Sequence, residues 1–133
     1  MELQSPTPQD THLERIELTI PGRPEYVAVV RLAAAAIAGR MSFTFDEIED
    51  LKVAVGEVCS SAILSGTPKL QISFDVRPEQ LDVTVSHTPA AAPRPRREQD
   101  LDKLLVQVLM DEVVTTTDGS GHLTRMSKRV AKS

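Results

Sequence analysis

The stretch from Phe43 to Ser65, FTFDEIEDLKVAVGEVCSSAILS, constrains the fold more than any other part of the chain. Ile48, Leu51, Val55, Val58, Cys59 and Ala62 recur at three- and four-residue steps, which makes one apolar stripe on a long helix. Asp50, Glu57 and Ser61 fall on the opposite side, the last two one helical turn apart. Asp46 is the expected N-cap, with Glu47 and Glu49 in the first turn, and Gly66 and Pro68 stop the helix. A one-sided helix of this length needs an apolar layer to lie on. The sequence must therefore supply a sheet or a bundle elsewhere.

Alternating patterns on either side supply a sheet. Ile16, Leu18 and Ile20 alternate with polar residues until Pro21, Gly22 and Pro24 interrupt, so a half-buried strand is expected there. A helix over Glu25 to Arg40 follows, with Pro24 in its first turn. Its alanine run, Ala33 to Ala36, allows close approach, and Gly39 ends it. Leu70, Ile72, Phe74 and Val76, then Leu81, Val83 and Val85, read as a hairpin turning at Arg77 to Gln80. His87 to Arg97, HTPAAAPRPRR, is too rich in proline for regular structure. A third helix fits Gln99 to Met110, with Leu101, Leu104, Leu105, Val108 and Leu109 as its apolar residues. Val113 to Thr117 and Leu123 to Val130 form a last hairpin around Asp118 to Gly121. Strands and helices in this order predict a two-layer α+β sandwich. Three helices would cover one face of a mixed, mostly antiparallel sheet of about five strands.

Composition narrows the function classes. A chain of 133 residues is expected to be one domain over residues 12–130, after a disordered tail over residues 1–11. The net charge of −4 argues against a nucleic-acid surface, and a single cysteine excludes an internal disulfide. No signal peptide or membrane-spanning run is legible, which points to a cytoplasmic protein with no membrane partner. Glu57 and Ser61 are the one polar pair with site-like spacing: a carboxylate for general-base work beside a hydroxyl. A solvated helix face gives the same spacing. Cys59 lies on the apolar stripe and reads as a small hydrophobe. His12, His87 and His122 show no ligand-like spacing, so no metal site is expected. Arg94, Arg96 and Arg97 make a small basic patch, open to an acidic protein partner or simply to solvent.

Three segments, PEYVAVVRL (Pro24 to Leu32), FDEIEDLKVAVGEVC (Phe45 to Cys59) and LMDEV (Leu109 to Val113), resemble the anti-sigma factor serine kinases of the RsbW and SpoIIAB type. These belong to the histidine-kinase-like (GHKL) ATPases, and the likeness runs from about Ile16 to Lys128. It implies a two-layer sandwich and a bacterial homodimer that sequesters a stress- or sporulation-type sigma factor. An anti-anti-sigma factor opposes such proteins, and active members phosphorylate it on serine with ATP and magnesium. Glu57 matches the family's general base, and Arg31, retained in the first segment, is the expected partner contact.

The departures from the family pattern point to a degenerate nucleotide site. Ser61 stands where the family has a magnesium-holding Asn. His87, Thr88 and Pro89 replace the adenine-reading Asp and the glycines after it. The lid, residues 87–98, is shortened, and Asp100, Leu101 and Asp102 replace the glycines that open the third helix against phosphate. Each carboxylate there, at about 5 Å and an effective dielectric of about 20, would cost roughly 3 kcal/mol against a phosphate charge. The resemblance with these departures implies a sigma-factor binder with ATP binding and kinase activity lost or weak. An active ATP-dependent serine kinase is the alternative.

Overall fold

β1, Glu14–Pro21, lies at one edge of a five-stranded sheet and reaches the core only at its end. Along it exposure falls from Ile16 through half-buried Leu18 to Ile20, which is buried. The structure is a computed structural model that describes residues 14–88, 96–118 and 121–131, with residues 96–102 and 118 in their backbone course only. The N-terminal tail, Pro89 with most of the expected lid, and the turn residues Gly119 and Ser120 lie outside the described residues.

After β1 the chain makes a 3₁₀ turn, Pro24–Tyr26, and enters α1, Val27–Ala38. Val27, Val30, Ala34 and Ala38 recur at helical steps and are buried. Ala34, in the alanine run, sits where α1 closes on α2, Phe45–Leu64. Gly39 follows α1 in ordinary right-handed geometry, so its conformational freedom is not what ends the helix. β2, Lys69–Val76, and β3, Gln80–His87, form the expected hairpin. α3, Arg96–Leu109, leads to β4, Glu112–Asp118, and β5, Gly121–Arg129. The sheet order is β1-β2-β3-β5-β4.

Every ladder is antiparallel, so the α+β sandwich stands but the expected parallel component of a mixed sheet is absent among the described residues. No described helix is long and apolar enough to cross a membrane.

The helix-facing side of the sheet is set by register. Ile20 pairs with Leu70, Ile72 with Val85, Phe74 with Val83, and Val83 in turn with Met126; all seven are buried. α2 lies between α1 and α3 and packs on both, so Leu51, Ala54, Val55, Cys59 and Ala62 close the core.

Three sequence expectations change here. α2 is capped by Thr44, not Asp46. The Thr44 hydroxyl accepts from Glu47 N at 3.1 Å, and the Glu47 carboxylate accepts from Thr44 N at 2.7 Å. The Thr-x-x-Glu spacing forms this reciprocal box two residues earlier and leaves Asp46 in the first turn. Second, the ends of the proline-rich stretch are regular: His87 belongs to β3, and Arg96 and Arg97 to α3.

Third, α3 buries Val106, with Met110 buried just beyond its end, and leaves Leu104, Leu105 and Val108 exposed. Its last turn is held by Lys128. That ammonium, buried at an inward position of β5, donates to the Leu109 carbonyl at 2.7 Å. A cation at a helix C-terminus meets both the unpaired carbonyls and the helix dipole. The impurity in the final strand's alternation is therefore a helix anchor.

Candidate functional site

α2 advances about 100° per residue, so its polar residues fan out around Glu57. Ser61 lies about 40° round the helix from Glu57, toward the α3 flank, and Gly56 lies about 100° the other way, toward α1. Glu57 therefore sits on the ridge between two flanks. On the α1 flank it lines an open cleft of about 430 Å³ with Arg31, Glu49, Lys52, Val53, Gly56 and Ser60. Ser61 is not among the residues lining this cleft, though one turn of helix separates it from Glu57. The carboxylate and hydroxyl are neighbours in spacing but not in this cavity.

Arg31 supplies the cleft's wall from α1. Its side chain crosses over Gly56: a Cβ added there would meet Arg31 Nε at 2.5 Å. A side chain on α2 at this position would push the guanidinium away, so the glycine admits it. Lys52 donates to Glu49 at 3.1 Å, leaving the floor with mixed charge. The arginine expected to touch a partner and the glutamate that matches the family's general base, expected to be inactive here, thus share one cavity. Cys59, under the same helix, is fully buried; burial pushes its thiol up to about 12, against the opposing pull of Arg31. It is an inert core residue.

The remaining expected site residues separate. α3 begins at Arg96, three residues before the expected start, so Asp100 and Asp102 lie in its second turn. Amides at that depth are used within the helix, and the unpaired ones lie in the turn before them. His87 ends β3, half-buried, with Nδ1 donating to the Thr88 carbonyl at 2.9 Å.

One association was invisible in the sequence. The β3–β5 register sets His87 directly opposite His122, and the two rings stand 5.0 Å apart at 42°. His122 Nδ1 is 2.7 Å from the Thr117 hydroxyl of β4. Burial, then the neighbouring His87, lowers the pKa of His122 below its ordinary value. Thirty-five positions in sequence separate the pair, and non-consecutive strands carry it, so spacing held no signal.

Comparison with known proteins agrees with this architecture. A family model described as the histidine kinase-like ATPase domain matches residues 20–128. The serine-protein kinase RsbW of Bacillus velezensis is 34% identical, over 89% of this chain and 87% of the relative. RsbW of Bacillus subtilis is 35% identical, over 74% of this chain and 75% of the relative. Among solved structures, the RsbU and RsbW domains of a Mycobacterium tuberculosis protein superpose with a TM-score of 0.73 at 11% identity, covering 90% of this chain and 33% of that one. The histidine kinase domain of an Erythrobacter litoralis blue-light activated kinase gives 0.55 at 20% identity, covering 84% and 62%. At those identities the structures speak for the fold alone.

Proposed function

The chain belongs to the histidine kinase-like ATPase domain family, and on that premise we propose that it is an anti-sigma factor of the partner-switching kind. It sequesters an alternative sigma factor and is countered by an anti-anti-sigma factor, while its own ATP binding and serine-kinase activity are lost or weak. Support for the partner-switching part comes from likeness to RsbW over most of both chains. The reading includes a homodimer in the bacterial cytoplasm.

The observation that carries the loss of nucleotide function is the state of His87. Where the resemblance calls for a carboxylate that accepts from the adenine amine, an imidazole gives its Nδ1 proton to Thr88 and leans on His122. An imidazole with one nitrogen spent as a donor offers at most a single acceptor and no negative charge. Ser61 in place of an amide acts in the same direction.

The rival reading is an active serine kinase of the anti-anti-sigma factor, using ATP and magnesium. It is favoured by the retained Glu57, which lines an open cleft with Ser60 and two cations. Calorimetric titration of the full chain with Mg-ATP separates the two. No heat at millimolar ATP is the expected result; micromolar affinity, or phosphate transfer to a co-encoded anti-anti-sigma factor, overturns the proposal. Co-purification with a sigma factor tests the binding half by itself.

A further inference from the structure

We propose that His87 and His122 form a two-imidazole site for a divalent transition-metal ion of the zinc class, held between β3 and β5. The proposal does not depend on whether the nucleotide pocket works.

Three observations carry it. The first is geometry. Zinc–nitrogen bonds of about 2.0–2.1 Å at a tetrahedral angle put two imidazole centroids about 5 Å apart, since each centroid lies about 1 Å behind its ligating nitrogen. The rings of His87 and His122 stand 5.0 Å apart. They are direct cross-strand partners, so the sheet fixes the separation rather than two mobile loops.

The second is the pattern of tethers. His87 Nδ1 faces the Thr88 carbonyl at 2.9 Å, and a carbonyl oxygen can only accept. The ring proton is therefore on Nδ1, and the lone pair is on Nε2. His122 Nδ1 is held by the Thr117 hydroxyl at 2.7 Å, which can accept its proton in the same way. Histidines that bind metals through one nitrogen characteristically donate the other to a carbonyl or hydroxyl, which fixes both tautomer and ring plane. Both rings carry that second bond before any metal arrives.

The third is the setting of the rings on the sheet. On the same face of the sheet, the flanking positions among the described residues are Val85 on β3, Thr115 and Thr117 on β4, and Thr124 on β5, none of them a cation. Nitrogen donors select zinc, copper or nickel over magnesium or calcium. No group of three or more ligating side chains occurs among the described residues, so the remaining coordination positions fall to water or an incoming ligand.

The test is titration of the metal-free full chain with zinc chloride, followed by calorimetry and by nitrogen-15 spectra of the histidine rings. Saturable binding of one zinc per chain is expected, with the Nε2 resonances of both His87 and His122 moving together. His87→Asn or His122→Asn each turns a chelate into a single ligand and should weaken binding about a hundredfold. His12→Asn should leave it unchanged. The ring spectra read the wild-type protein, so the proposal stays testable even if a variant folds poorly. No saturable binding at about a hundredfold zinc excess overturns it, as does binding that moves neither ring or tracks His12.

Discussion

Asp82 shows how much one side chain can organise on a surface that looks solvated. It projects from β3 on the side of the sheet away from the helices, directly across from Asp75, and like charges in that register repel. Each carboxylate has its own cations. Arg15 holds Asp75 through Nε at 2.6 Å and Nη2 at 3.1 Å. Asp82, 1% exposed, accepts from Gln80 at 2.7 Å, Arg77 at 3.0 Å and Arg125 at 3.4 Å. Burial pushes the Asp82 carboxyl up, but the bonds from Gln80, Ser127 and Arg77 and the charge of Arg125 outweigh it and hold it below the usual carboxylate range. Asp82→Asn should cost about 2 kcal/mol in urea unfolding at pH 7, the half-exposed arginines limiting the loss. A lowered carboxyl pKa stabilises the fold above the unfolded value of about 4, and that stability is lost as pH falls through the lowered value. The gap between wild type and variant should therefore close toward pH 3. A gap that persists there assigns the loss to packing instead of charge.

Elements rather than single residues decide where Arg31 points and how α2 starts. Thr44→Ala removes one half of the reciprocal cap and should cost about 1 kcal/mol, a fall in melting temperature of about 4 °C for a chain this size. Asp46→Ala should cost less, since Asp46 makes no cap. Gly56→Ala tests the α1–α2 contact differently. The atoms in its way are the far end of the flexible Arg31 side chain, and alanine favours helix by about 0.8–1 kcal/mol, so stability should change by less than about 1 kcal/mol. Displacing the guanidinium from the cleft should nonetheless weaken sigma-factor binding, as Arg31→Ala should, measured by calorimetry or surface capture. Partner affinity that falls for Arg31→Ala but not for Gly56→Ala shows that the placement of Arg31 over α2 is irrelevant.

At the scale of the whole molecule, one point ties the start of the sheet to the exit of α2. Gly22 N donates to the Pro68 carbonyl at 2.8 Å, and a Cβ at Gly22 would fall 1.9 Å from the Thr67 carbonyl oxygen. The neighbours are backbone and cannot rotate away, so Gly22→Ala should cost about 3 kcal/mol or more and lower the urea midpoint of the cooperative transition. A variant of wild-type stability shows that this junction is slack. The element order, the hairpin β2–β3 and the buried stripe of α2 were legible in the sequence because each follows from a period of two or 3.6 within about twenty residues. The same local reasoning misplaced the N-cap by two residues and chose the wrong face of α3, where Lys128 and α2, both distant in sequence, set the packing. Which side chains meet was decided only by tertiary structure. His87 with His122, Asp82 with Arg125 and Arg31 with Gly56 are joined by strand register and helix packing, and those depend on how the whole apolar surface is buried. Sequence fixes periodicity because periodicity is local; a site is a set of long-range coincidences, and only the folded sheet brings them about.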